Sequence, residues 1–110
     1  MDGRFVLKGS GEQFMFNLKA AGNSEIILTS ERYTRKASAL EGIAAVKDCA
    51  ASAERFRRRR SRSGEAYFVL QGANGEVIGT SEMYSSASAR NAGIAAVRAH
   101  APVASIEDHT

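Results

Sequence analysis

The sequence predicts one α+β domain made of two tandem units, each with a β-hairpin, a helix and a further strand. Three observations support this prediction. The second half of the chain repeats the first, alternating apolar segments with turn signals precede each repeated motif, and apolar residues follow it at helical spacing. A chain of 110 residues is long enough to form one such domain with its own core.

The repeat is plain when the chain is compared with itself. At an offset of 51, residues 25–50 and 76–101 are identical at twelve of 26 positions. One shared motif is Ser-Glu-x-Tyr, formed by Ser30, Glu31 and Tyr33 and again by Ser81, Glu82 and Tyr84. The other is Gly-Ile-Ala-Ala-Val, which begins at Gly42 and at Gly93. We therefore expect a single domain over residues 1–110, built from units at about 1–58 and 59–110.

Strands are predicted where aromatic and aliphatic residues are bounded by turn signals. The Asn74-Gly75 pair is a strong hairpin signal, because both residue types accept a positive φ. Two segments that follow the helices are also candidate strands. The predicted strands are 4–8, 13–19, 25–29 and 54–58 in the first unit, and 66–71, 76–80 and 103–107 in the second.

Helices are predicted after each Ser-Glu-x-Tyr motif. Leu40, Ile43 and Val46 recur at helical spacing, as do their counterparts Ile94 and Val97, so we expect these residues in the core. Thr34 and Ser85 are placed to cap the helices. A glycine inside a helix costs about 1 kcal/mol relative to alanine. The reuse of Gly42 and Gly93 therefore suggests a close approach of each helix backbone to the sheet.

These motifs resemble the YegP-like family, which consists of short bacterial proteins of uncharacterised function, often with two tandem copies. The resemblance covers nearly the whole chain, since both copies of Phe-x-Leu, Ser-Glu-x-Tyr and Gly-Ile-Ala-x-Val are present. It implies β-β-β-α-β-type units that share one mainly antiparallel sheet, with two helices packed on it and the strands after the helices exchanged. It implies no activity. This chain departs from the family in the arginine-rich link between its units.

Composition excludes several classes of site. Cys49 is the lone cysteine, so no internal disulfide or cysteine-based metal site is expected, and a reducing cytoplasm is the simplest location. No apolar run approaches the roughly 20 residues that span a bilayer. The histidines have no metal-ligand spacing, and no phosphate-binding glycine motif is present. Cys49 and His100 are equivalent positions, but no third group would orient them. We therefore expect no catalytic residues, metal or cofactor.

The arginine segment, residues 55–62, dominates the charge. Its six arginines leave nine basic side chains against twelve acidic ones elsewhere, although the net charge is +3. The first hypothesis is nucleic-acid or other polyanion binding, with Phe56, Tyr67 and Phe68 available for base stacking. The alternatives are a solvated charged strand or internal pairing with Glu107 and Asp108. The candidate binding residues are Arg55, Arg57, Arg58, Arg59, Arg60 and Arg62.

The Ser-Glu-x-Tyr motif also has two interpretations. Glu31 and Glu82 could be paired carboxylates for acid–base chemistry, which requires a shielded cleft. The structural interpretation, which repetition in both units favours, is a strand-to-helix connection with each tyrosine ring packed under its helix.

The function predicted from sequence is a small, non-enzymatic cytoplasmic binding or interaction module, and its first specific form is association with nucleic acid or another polyanion through the arginine segment. The alternative is a protein-interaction or structural module. Two units in one chain can complete the shared sheet internally, so a monomer without membrane attachment is expected.

Overall fold

A computed structural model describes residues 3–110 as one seven-stranded sheet with two helices packed on it. The two helices each have 14 residues, and a short 3₁₀ turn follows each of them. All seven predicted strands are present, with bounds shifted by at most two residues. The elements are β1 (Arg4–Ser10), β2 (Gln13–Lys19), β3 (Ile26–Ser30), α1 (Lys36–Cys49), β4 (Phe56–Arg60), β5 (Ala66–Gln71), β6 (Val77–Thr80), α2 (Ala87–His100) and β7 (Ser105–Asp108).

The sheet has the strand order β4-β5-β6-β3-β2-β1-β7. All neighbouring strands are antiparallel except β1 and β7, which are parallel. The strand after α1 pairs with β5 of the second half, and the strand after α2 pairs with β1 of the first. The predicted fold class and the exchange of strands are therefore confirmed. The predicted boundary near residue 58 lies inside β4, which follows α1 and also starts the second hairpin.

An approximate twofold axis passes between β3 and β6, where the two halves meet. Thr29 pairs directly with Thr80, and these are the same position in the two repeats. Their neighbours Leu28 and Gly79 are also equivalent, yet they differ in size. A β-carbon at Gly79 would lie 2.7 Å from Cγ of Leu28. Only one of the two positions can therefore carry a leucine, and the other must be small.

The core lies between the helices and one face of the sheet. Phe5, Phe16 and Phe68 are fully buried there, together with Val46 and Val97 from the helices. The expectation for Leu40 is wrong, because its side chain is 39% exposed while its neighbour Ala39 is fully buried. Ile43 and Val46 are buried as expected, and Ala39 and Gly42 complete the buried face of α1.

Each helix also starts one residue later than predicted. Position 35 is the N-cap of α1, and its arginine makes no side-chain capping hydrogen bond. The N-cap of α2 is Ser86, whose Oγ accepts a hydrogen bond of 3.0 Å from the backbone N–H of Ala89. Neither Thr34 nor Ser85 is the cap, because each helix begins one residue later than its hydroxyl would require.

Each helix glycine accommodates a tyrosine ring. A β-carbon at Gly42 would lie 2.8 Å from Cζ of Tyr33, and one at Gly93 would lie 2.7 Å from Cζ of Tyr84. The close approach predicted for these glycines is therefore real, but its partner is the motif tyrosine rather than the sheet backbone. The same contact confirms that each ring packs under its helix.

We expect Gly42→Ala and Gly93→Ala each to lower the free energy of unfolding by up to about 2 kcal/mol. Overpacking against the tyrosine costs about 1–3 kcal/mol, and the better helix propensity of alanine offsets about 1 kcal/mol of it. Urea unfolding measures the change. Gly9→Ala is the matched control, because a β-carbon there meets no atom within 4 Å. Equal stability of all three variants would contradict the packing described.

A second prediction concerns the twofold axis. Gly79→Ala should destabilise the protein because its methyl group overlaps Leu28, and Leu28→Ala should cost about 2–5 kcal/mol through the cavity it leaves. In the double variant the new methyl occupies part of that cavity. The two effects should therefore fall short of additivity by at least about 0.5 kcal/mol in a double-mutant cycle. Strict additivity would show that the two positions are independent.

Candidate binding surface

The arginine segment forms one edge of the sheet. β4 is the terminal strand of the order, and Arg57, Arg58, Arg59 and Arg60 are all exposed on it. Arg55 is half-buried in the preceding 3₁₀ turn, and Arg62 is exposed in the turn that follows. The structure therefore brings the six predicted residues together as one edge and its two flanking turns.

The register of β4 and β5 assigns each arginine to a face of the sheet. Phe56, Arg58 and Arg60 lie opposite Leu70, Phe68 and Ala66, which belong to the helix-covered face. Since side chains alternate along a strand, Arg57 and Arg59 project from the helix-free face. The four guanidinium groups thus flank the edge from both sides rather than forming one flat strip.

The arginines make hydrogen bonds but no ion pairs among residues 3–110. Arg57 Nε donates to Gln71 Oε1 at 3.1 Å, and Arg58 Nε donates to Asn91 Oδ1 at 3.0 Å. Arg55 and Arg60 donate to the carbonyl oxygens of residues 72 and 64. The acceptors are neutral, so each guanidinium keeps its charge uncompensated.

Internal pairing with Glu107 and Asp108 is excluded by the topology. Both acids lie on β7, at the opposite end of the strand order from β4. Glu107 accepts from Arg4 Nε at 2.9 Å, and Asp108 forms a 2.5 Å ion pair with Lys36. The hydrogen bond from Lys36 holds the pKa of Asp108 well below its usual range. The acids are thus engaged elsewhere, and this alternative for the arginines is wrong.

The aromatic residues proposed for base stacking are mostly unavailable. Phe56 is buried against Phe68, with ring centroids 5.7 Å apart in an edge-to-face arrangement. Tyr67 is half-buried, and it lies opposite Arg59 on the helix-free face. A single partly exposed ring therefore accompanies the arginines.

Sequence reasoning missed further cations on the helix-free face. The register places Arg4, Lys8 and Lys19 on the same face as Arg57 and Arg59. Within the seven strands, the acidic side chain on that face is Glu107, which is already bound to Arg4. Strand alternation assigns these cations to the helix-free face once the face covered by the helices is known. The sequence alone did not show which face that is.

The Ser-Glu-x-Tyr motif is a structural device in both halves. Ser30 Oγ accepts a hydrogen bond of 2.9 Å from the backbone N–H of Phe16 and donates to the carbonyl oxygen of Glu31. Ser81 repeats both contacts with Phe68 and Glu82. The buried hydroxyl thereby replaces a backbone partner where the chain leaves the sheet.

The motif tyrosines complete the same device. Tyr33 exchanges backbone hydrogen bonds with Phe14, and Tyr84 exchanges them with Ala66. Each ring stacks on a core phenylalanine: Tyr33 on Phe16 at 6.3 Å and Tyr84 on Phe68 at 6.4 Å, with interplanar angles of 10° and 9°. The stack of glycine, tyrosine and phenylalanine therefore explains why these residues repeat.

The motif glutamates, Glu31 and Glu82, are both exposed. Of the two, Glu82 lines a surface cleft that also contains another carboxylate. The cleft has a volume of about 530 Å³, and Glu25, Glu82, Met83 and Tyr84 are among its lining residues. Glu82 thus shares the cleft with Glu25, and Glu31 does not line it. Burial raises the pKa of Tyr84, and the charges of Glu82 and Glu25 raise it further. The pair proposed from sequence, Glu31 and Glu82, is not assembled at this cleft.

Neither a metal-binding cluster nor a membrane-spanning helix occurs within residues 3–110. Within residues 3–110, no group of three or more His, Cys, Asp or Glu side chains could hold a metal ion. No helix there is long and apolar enough to cross a membrane. Cys49 is half-buried and packs against the core.

A family model and several related proteins all assign this chain to one family. A family model described as "Domain of unknown function (DUF1508)" matches residues 9–56 and 61–108. The chain is 54% identical over 110 residues to a UPF0339 protein of Bordetella pertussis, covering 100% of this chain and 98% of that protein. It is 46% identical over 111 residues to the UPF0339 protein YegP of Escherichia coli strain K12, covering 100% of both.

Two solution NMR structures have the same fold. The structure of yegP from E. coli, described as a protein of unknown function, matches with a TM-score of 0.93 and 46% identity, over 100% of this chain and 95% of that chain. A UPF0339 protein from Shewanella oneidensis matches with a TM-score of 0.90 and 42% identity, over 98% of this chain and 92% of that chain.

The tyrosine environment predicts how stability depends on alkaline pH. Burial, followed by the charge of Glu31, raises the pKa of Tyr33, and Tyr84 is shifted in the same direction. Since the unfolded chain ionises at a tyrosine pKa of about 10, the free energy of unfolding should fall as the pH rises above about 10. Tyr33→Phe/Tyr84→Phe should show a shallower fall in urea unfolding between pH 9 and 11. The same slope in the parent and the double variant would contradict this linkage.

Proposed function

We propose that this chain, which belongs with YegP to the bacterial DUF1508 family of unknown function, is a non-catalytic module that binds an anionic polymer. The proposal is based on the arginine segment. The observation that carries the proposal is an edge strand with four exposed arginines, none paired with a carboxylate in residues 3–110. The proposed module acts as a monomer in the cytoplasm, in keeping with its internal twofold and its single cysteine.

Charge distribution supports this proposal. Arginine forks match phosphate and carboxylate oxygens, and they remain charged at any physiological pH. On the helix-free face Arg57 and Arg59 lie at the β4 end of the sheet, and Lys8 and Lys19 lie on β1 and β2 near the other end, so positive charge is present at both ends of this face. Such a field raises the local concentration of an anionic partner and the rate at which it associates.

Anionic polymers of two kinds fit this surface. Nucleic acid would use the guanidinium groups as phosphate contacts, with Tyr67 as the partly exposed ring for stacking. An acidic polypeptide could use the same charges and, in addition, the outer backbone edge of β4, which no strand within residues 3–110 covers. The open edge is the specific observation that favours this second candidate.

Salt dependence tests the proposal with a single-stranded oligonucleotide as the first probe. Binding should weaken with a log–log slope of about −0.7 per phosphate contacted, or about −0.9 per phosphate on a duplex. Changing Arg57, Arg58, Arg59 and Arg60 to Gln should flatten the slope and weaken binding to all sequences alike, because phosphate contacts carry no base information. The fold should persist, since exposed charges contribute little to stability.

Matched charge variants provide the control. Arg57→Gln/Arg59→Gln removes two charges from the helix-free face, whereas Arg32→Gln/Arg35→Gln removes two exposed charges elsewhere. The first pair should weaken binding more than the second at equal net charge. Polyglutamate serves as a second anionic probe. No binding of either polymer at low salt would overturn the proposed function.

A further inference from the structure

The outer edges of β1 and β4 are equivalent by the internal twofold but are not equally covered. β1 and β4 correspond to each other, since Phe5 and Phe56 make the same 5.7 Å edge-to-face contact with Phe16 and Phe68. The outer edge of β1 is paired with β7. No strand within residues 3–110 pairs with the outer edge of β4. The twofold thus defines a vacant strand position beside β4.

This vacancy arises because one segment has two roles. The strand that follows α2 covers the edge of the other half, whereas the strand that follows α1 is itself the first strand of the second hairpin. The first half therefore has no strand left to cover β4. The outward backbone N–H and C=O groups of an edge strand are a ready template for another extended segment.

We propose that an extended acidic segment of a partner protein adds to the outer edge of β4 as an eighth strand, parallel to it. The parallel direction follows from the internal twofold, because β7 is parallel to β1. Acidic residues are required because the added strand would lie beside four exposed arginines without carboxylate partners in residues 3–110. This inference rests on the proposed function, since the same arginines attract the partner.

The chain's own β7 is an example of such a ligand. Its sequence is Ser-Ile-Glu-Asp, and both acids bind cations once the strand is docked. Glu107 pairs with Arg4 of the adjacent strand at 2.9 Å, and Asp108 pairs with Lys36 at the start of α1. An acidic strand held by backbone pairing and flanking ion pairs therefore already exists at the equivalent edge.

Three other occupants fit this edge less well. Addition of β4 from a second copy would place arginine against arginine, which is repulsive and disfavours edge-to-edge association. β7 of a second copy is already paired with its own β1. Nucleic acid would use the guanidinium groups but leave the backbone edge unpaired, and Phe56 and Phe68 are buried rather than free to stack.

The test uses the full ¹⁵N-labelled chain and a synthetic peptide with the sequence of residues 103–109. We expect chemical-shift changes in β4 amides and slowed hydrogen exchange along its outer edge, because strand addition buries backbone N–H groups. A peptide with Gln in place of both acids, and the Arg57→Gln/Arg59→Gln protein, should each bind about two- to tenfold more weakly. Arg32→Gln/Arg35→Gln is the matched control and should bind as the parent does.

Each outcome separates this inference from the proposed function. Shifts at β4 without slowed exchange would mean charge attraction alone, and changes confined to β1 and β7 would mean displacement of the native strand; either overturns strand addition. Binding of oligothymidylate without binding of the peptide would also overturn it, while leaving the proposed function in place. Failure of the peptide, polyglutamate and oligothymidylate alike would overturn both.

Discussion

The backbone pairing of β3 with β6 is the contact on which the shared sheet depends. It joins the two halves through two residue pairs, of which Thr29 and Thr80 are the same position in the repeat. Direct pairing of equivalent residues imposes an approximate twofold, and the twofold forbids two leucines beside the axis. The conflict is avoided because the first repeat has leucine at position 28, whereas the second has glycine at the equivalent position 79. A duplicated chain must therefore be unequal at its centre even where its architecture is repeated.

Away from the axis, both halves use the same local design. A buried serine hydroxyl bonds the neighbouring strand where the chain turns toward its helix, and a tyrosine ring fills the space beneath a helix glycine. These contacts demand particular side chains, so their residues recur in both units. The arginine segment is not repeated in this way. Arg57 and Arg58 are exposed, whereas the corresponding residues of β1, Val6 and Leu7, are buried. The packing and hydrogen bonds of the fold therefore explain why the motifs are repeated, but they do not explain the arginines.

Sequence reasoning succeeded where a pattern is local and repeated. The duplication, the seven strands and the two helices follow from apolar spacing, and the shared sheet followed from the family resemblance. Leu40 was misplaced because helical spacing defines a stripe without stating which side of it faces the sheet. The arginine segment contains no alternation of polar and apolar residues, so nothing in it revealed the faces that Arg57 and Arg58 occupy. Those faces, and the cations that share them, depend on pairing with β5, which is a tertiary property.

The parallel pairing of β7 with β1 has a consequence for synthesis. These strands are separated by nearly the whole chain, so their pairing closes a loop of about 100 residues and ranks among the least local contacts in the fold. On the ribosome, β1 and its hairpin emerge early, whereas β7 emerges after both helices. The outer edge of β1 thus stays unprotected throughout translation, and Arg4 and Lys8 are the charged side chains that can discourage premature association there.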